Sequence, residues 1–295
     1  MFEKKDPFEG LLLENSNAEV AKQCRQRIYA YMSETRGKKY RVFLFCMRSI
    51  KYLACQPKRG ELLESIYALM RYLDDIADRD SSLPKGYSSA MQYIQRKIDF
   101  AQGQQNPQDP AEKLLLHCLE LAQQIDENIR SEINDILQSL HFDAKRRNPD
   151  SLQCLPREEL QHHFYSLDIR GTIGLCLKLA QEHEVQIADL RALGEASRIE
   201  YSIKDFADDI RAGFNNVPIE DAEALGLSTE EMRDSSSEKV QQWLYQEAER
   251  GMGLLANHRA RLPTMRLQRL TKAALWFMYE RPANRLFRHI LDRQK

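Results

Sequence analysis

Glycine and proline are scarce, at 12 and 10 residues in a chain of 295. An all-β sandwich or barrel uses both freely at its closely spaced turns, so the shortage argues against a turn-rich β architecture. No two cysteines are spaced C-x-x-C; Cys24, Cys46, Cys55, Cys118, Cys154 and Cys176 are scattered. That argues against a zinc ribbon or a dithiol redox centre and reads as reduced, mostly buried thiols of a cytosolic protein. Neither sign of charge dominates, with 43 Lys and Arg against 44 Asp and Glu, so nothing marks the chain as a nucleic-acid binder. Long apolar runs are missing too. The run Val42–Met47 (VFLFCM) is far too short to span a bilayer, and the opening residues MFEKKDPFEG carry no apolar signal core. The expectation is a cytoplasmic protein that at most touches a membrane surface.

What the chain does have is helical periodicity. In ELLESIYALMRYLDDIA, Leu62, Ile66, Leu69, Leu73 and Ile76 recur at three- and four-residue spacing, the mark of a core-facing helix. The same spacing predicts helices over 87–103, 111–125, 128–147, 157–182, 186–212, 229–233, 236–261 and 263–293, with linkers at 103–110 and 213–228. No useful strand alternation, internal repeat or low-complexity tract interrupts them. The simplest architecture is one all-α domain, since neither linker is long or flanks a change in composition.

Two acidic clusters carry the chemistry. RYLDDIADRD places Asp74, Asp75, Asp78 and Asp80 within ten residues, although like charges at helical spacing repel. Asp74 and Asp78 are four apart and stack on one helix face, with Asp75 about a hundred degrees round. YSIKDFADDIRAG repeats the pattern with Asp205 and Asp209, and Asp208 beside them. Either each face is simply solvated, or the two helices aim carboxylates into one cavity that holds Mg2+. Mg2+ takes hard oxygen ligands and commonly bridges carboxylates to phosphates, which makes a diphosphate the natural third party. Arg71, Lys204 and Arg211 stand beside the acids as charge-assisted donors for it.

These segments resemble the squalene and phytoene synthase family. Ile66–Asp78, IYALMRYLDDIAD, matches its first motif, I-Y-A-x-x-R-x-x-D-D-x-x-D, position for position. Leu193–Ser228 resembles the second, with Asp205, Asp208 and Asp209 on its acidic positions. Tyr165–Gly174 (YSLDIRGTIG) is similar to the family's Tyr-containing helix, LHFDAKR to the segment carrying an inward Asp, here Asp143, and Arg48–Ala54 faintly to its Ser-Phe segment. Residues 41–295 form the resembling helical domain; residues 1–40 align with nothing in it. The resemblance implies a single-domain, all-α class I isoprenoid synthase bundle around a central cavity. It implies head-to-head joining of two prenyl diphosphates, farnesyl diphosphate first, with Mg2+ or Mn2+ as cofactor. Asp74, Asp75, Asp78, Asp205, Asp208 and Asp209 would hold metal. Arg71, Arg198, Lys204 and Arg211 would grip diphosphate, and Tyr165 and Asp143 would face the reacting centre.

The chain departs from the family's pattern where Arg198 replaces Gln and Tyr201 replaces a metal-binding Asn. Arg198 either binds diphosphate directly or pairs with Asp205. Asp168 and Arg170 replace small or apolar residues and pair with each other or with the opposite wall. Two further functions stay open on these changes: a class I terpene synthase ionising one prenyl diphosphate, and a non-catalytic binding or assembly module. His162 and His163 read as helix-surface residues. Trp276, Phe277 and Tyr279 read as core, with a cavity wall as the alternative. The basic, amphipathic end from Met278 to Lys295 is a candidate for peripheral membrane contact, or else a solvated helix capping the bundle. NADPH use is open, because no Gly-rich dinucleotide fingerprint bears on it in a helical fold.

Overall fold

A computed structural model describes residues 6–35, 41, 44, 56–103 and 106–293. The Arg48–Ala54 segment, Cys46, Cys55 and all of Val42–Met47 except Leu44 lie outside the described residues. Among the described residues there is no strand, only one isolated parallel bridge between Leu155 and Pro218. The chain divides into two compact units, residues 1–145 and 146–295.

The first unit contains α1 (Asn17–Thr35), α2 (Pro57–Ala77), α3 (Ala90–Gln102), α4 (Pro110–Gln124) and α5 (Arg130–Arg146). Helix α1 was not anticipated; it buries Val20, Cys24, Ile28 and Met32, a four-residue repeat, against α2 and α4. Helix α2 opens on Pro57, whose missing N–H falls where no intrahelical acceptor exists. It buries Leu62, Ile66, Leu69, Leu73 and Ile76 as the periodicity requires. Helices α3 and α4 start on Ser89 and Asp109, whose side chains accept from the backbone N–H groups of Gln92 and Glu112. Arg25 of α1 donates to Glu61 (2.9 Å) and Ser65 (2.7 Å) of α2, and His117 of α4 lies 3.2 Å from Glu61. The His117 hydrogen bond, with help from Arg25, holds the Glu61 carboxyl down at about 2. Before α1, the Phe8 ring stacks on Tyr72 at 3.9 Å, and the Tyr72 hydroxyl donates to Asp6 at 3.0 Å.

The second unit runs through α6 (Arg157–Phe164), a π-helical segment Tyr165–Ile173, α7 (Gly174–Leu179), α8 (Arg191–Lys204) and α9 (Phe206–Ala212). It continues with α10 (Ile219–Leu225), α11 (Thr229–Met232), α12 (Glu238–Arg261), α13 (Arg269–Leu275), a π-helical turn Trp276–Glu280 and α14 (Arg281–Asp292). Two glycines allow the closest helix contacts. A Cβ on Gly194 of α8 would lie 2.3 Å from Ile169 Cγ1 of the π-helical segment, and one on Gly251 of α12 would lie 2.4 Å from the Phe287 ring of α14.

Five expectations for this unit need correction. The helix over 157–182 has a π-helical middle, and the one over 186–212 breaks at Asp205, where the turn sets the Phe206 ring 5.5 Å from Trp243 in the core. The linker at 213–228 holds α10, stopped by the left-handed Gly226. Trp276 and Phe277 are not core: they are 49% and 57% exposed. His163 is buried against Phe164, while His162 is the surface residue that was expected of both.

Candidate active site

On α2 the four-residue row Ile66, Met70, Asp74, Asp78 leads from apolar side chains to carboxylates. Arg71 sets the acids apart: its two terminal nitrogens bond Asp74 and Asp75 separately, holding Asp75 inward with its side chain fully buried. Burial, reinforced by Asp74 and Asp80 and opposed by Arg71, pushes the Asp75 carboxyl up to about 7. Burial also raises the Asp78 carboxyl well above the usual carboxylate range, helped by Asp74, Asp143 and Asp80. Asp143 of α5 is therefore an electrostatic neighbour of the first cluster. Side chains of α2 and α5 line a small, partly open apolar gap of about 10 Å³ between Ile66, Leu69, Met70, Leu73, Ile133, Ile136 and Leu137.

The second cluster begins at the break in the helix. Asp205 caps α8, and its carbonyl accepts from the N–H groups of Asp208 (3.0 Å) and Asp209 (2.8 Å), so the four-residue relation of Asp205 to Asp209 survives the break. Lys204 Nζ lies 3.4 Å from Asp205 and 3.8 Å from Glu200, and 4.0 Å over the Tyr201 ring, which is 43% exposed. Arg211 bonds the exposed Asp208 one turn away. Asp209 accepts from Asn216 Nδ2 at 3.0 Å, and Asn216 in turn accepts from Arg146 at 2.9 Å. Arg146 also donates to the Asn215 carbonyl (3.0 Å) and Arg147 to that of Ala212 (2.7 Å), so both arginines fix the loop after the acids. Arg198 makes no ion pair with Asp205; its guanidinium lies 4.1 Å from the Phe164 ring centre. At the start of the π-helical segment, Tyr165 has Arg191 5.2 Å over its ring.

A family model for squalene/phytoene synthase matches residues 49–293. The chain belongs to the squalene/phytoene synthase family. Among solved structures it is similar to a dehydrosqualene synthase crystallised with a ligand, at 18% identity and a TM-score of 0.56, over 84% of this chain and 80% of that one. That likeness shows the helical isoprenoid synthase fold. No curated protein sequence matches the chain significantly. Family and fold support a squalene/phytoene-type prenyltransferase.

Members of the squalene/phytoene synthase family generally use Mg2+. Among the described residues no three His, Cys, Asp or Glu side chains are drawn together as a ligand set. The chemistry of the first cluster nevertheless fits the ion. Asp74 and Asp78, four residues apart at the end of α2, are hard oxygen donors, and Mg2+ needs only one or two carboxylates when water and phosphate oxygens complete its shell. Several supporting residues of this family member went unnoticed in the sequence: Phe164 under Arg198, and Arg146 and Asn216 behind Asp209. Only Asn216, within the second motif, carried any signal.

Proposed function

We propose that the protein joins two prenyl diphosphates head-to-head, farnesyl diphosphate first among them, to a squalene- or phytoene-type product. Asp74 and Asp78 in the first cluster, supported by Asp75, and Asp205, Asp208 and Asp209 in the second would hold Mg2+, or Mn2+ in its place. Bound Mg2+ supplies the charge that weakens the carbon–oxygen bond of an allylic diphosphate. Around that chemistry, Arg71, Arg198, Lys204 and Arg211 bind or orient the diphosphate. The apolar side chains of the bundle would exclude water from a reactive carbon chain, which a solvent nucleophile would otherwise quench. Tyr165 and Asp143 face the reacting chain.

The observation that carries this reading is the first cluster: three aspartates, Asp74, Asp75 and Asp78, on the matched motif Ile66–Asp78, with Asp74 and Asp78 four residues apart at the end of α2. Substituting Asp78→Asn and Asp205→Asn separately should abolish turnover of farnesyl diphosphate while leaving thermal unfolding unchanged. Full activity in either variant would remove that residue from the site.

A second reading, ionisation of a single prenyl diphosphate by a terpene synthase, is favoured by the exposed Tyr201 capped by Lys204, since a phenol is a poor Mg2+ ligand. Among the described residues no helix is long and apolar enough to cross a membrane. The exposed Leu270, Trp276 and Phe277 beside Arg269 and Arg281 support peripheral contact with an anionic bilayer, where an apolar product would leave.

A further inference from the structure

Four basic residues stand beside the two acidic clusters, and three are already committed. Arg71 forks onto Asp74 and Asp75, Arg211 bonds Asp208, and Lys204 lies between Asp205 and Glu200. Arg198 differs. Its guanidinium lies on the Phe164 ring, its Nε is buried with no hydrogen-bond acceptor, and no carboxylate among the described residues pairs with it. The nearest acids on its own helix are engaged, Glu195 by Arg191 at 2.6 Å and Glu200 by Lys204. Tyr201, one turn on, brings no negative charge to it.

Arg198 is partly exposed, and among the described residues its terminal nitrogens make no ion pair that would compete with a bound anion. The planar fork of arginine matches phosphate oxygens in pairs, and an aromatic face beneath it leaves that fork free while fixing its plane. We infer that Arg198 is the direct diphosphate anchor of this chain, able to bind the anion without an intervening metal ion, and that Phe164 is its positioning residue. The identity of the anion rests on the proposed diphosphate-using activity; the unpaired, stacked guanidinium does not. Arg71, Arg211 and Lys204, each already paired with a carboxylate, orient the diphosphate from beside the acids they hold.

The test is calorimetric titration of the full chain with inorganic diphosphate in EDTA, with inorganic phosphate and sulfate as comparison arms. The wild type should bind diphosphate more tightly than either single anion. Arg198→Gln should weaken binding at least about tenfold, with Arg198→Lys intermediate because it keeps the charge and loses the fork. Phe164→Leu keeps an apolar side chain but removes the ring, and should weaken binding about threefold to tenfold; Phe164→Tyr should restore it. A purely structural role for Phe164 would show equal losses in melting temperature and no rescue specific to the aromatic ring. Diphosphate binding that appears only with Mg2+, equal affinity for diphosphate and sulfate, or an Arg198→Gln variant that binds like wild type would each overturn the inference. Failure of prenyl turnover with EDTA-resistant diphosphate binding intact would instead defeat the proposed reaction and leave the anchor standing.

Discussion

Replacing Gly194 by alanine tests how tightly the second acidic helix is set against the segment carrying Tyr165. An added Cβ would sit 2.3 Å from Ile169 Cγ1, 3.0 Å from Ile169 Cδ1 and 3.5 Å from Ile173 Cδ1. Neither isoleucine can swing away cheaply, because Ile169 is 1% exposed and Ile173 fully buried. Overpacking of this kind costs about 1–3 kcal/mol. Alanine also favours the helix over glycine by roughly 0.5–1 kcal/mol, which leaves a net loss of up to about 2.5 kcal/mol. Gly253 of α12 is the internal control, since its added Cβ would meet nothing within 4 Å. Gly253→Ala should therefore stabilise by about 0.5–1 kcal/mol. Urea unfolding followed by far-ultraviolet circular dichroism gives both midpoints at an unchanged slope. Combining Gly194→Ala with Ile169→Ala should cost less than the sum of the two single changes, because each relieves the other. A Gly194→Ala variant as stable as Gly253→Ala would refute the close contact and, with it, the placement of α8.

Three more outcomes follow from the same geometry. Gly251→Ala should lose up to about 2.5 kcal/mol in the same assay, after the gain in helix propensity, because the fully buried Phe287 ring stands 2.4 Å from the new methyl group. Arg71→Met should destabilise at pH 8 by about 3 kcal/mol, because it leaves the buried Asp75 carboxylate without its guanidinium. Glu61 has its carboxyl held down at about 2, so its contribution is present above the unfolded value near 4.5 and lost as pH falls through 2. After allowance for its partial exposure, Glu61→Gln should cost about 1–2 kcal/mol at pH 7 and progressively less below pH 4.5, read from urea midpoints across that range.

The first acidic helix was legible because two patterns coincide in Ile66–Asp78: the core spacing of Leu69, Leu73 and Ile76, and the carboxylates at four-residue spacing. Arg71 bonding Asp74 and Asp75, and Arg211 bonding Asp208, follow from three- and four-residue separations that any helix brings together. Helix α1 was equally legible in Val20, Cys24, Ile28 and Met32, and went unread because nothing in the family motifs pointed there. Helix α10 also had signals, with Pro218 before it, Glu220 and Asp221 in its first turn and Gly226 behind it. The break at Asp205 and the π-helical segment from Tyr165 to Ile173 were not legible. Apolar spacing runs on through both, and the contacts found there are distant in sequence: Phe206 with Trp243 in one case and Gly194 with Ile169 in the other. The Arg198–Phe164 stack joins residues far apart in sequence, and no local pattern announces it.

The most direct measurement is an incubation of purified protein with farnesyl and with geranylgeranyl diphosphate, each in Mg2+ and in EDTA and with and without NADPH, with extracts analysed by mass spectrometry. A doubled-chain hydrocarbon or its cyclopropyl diphosphate precursor, formed in Mg2+ and absent in EDTA, is the predicted result. A single-chain alcohol or cyclic hydrocarbon, or no conversion of either substrate in Mg2+, would contradict head-to-head coupling as the work of these two acidic clusters.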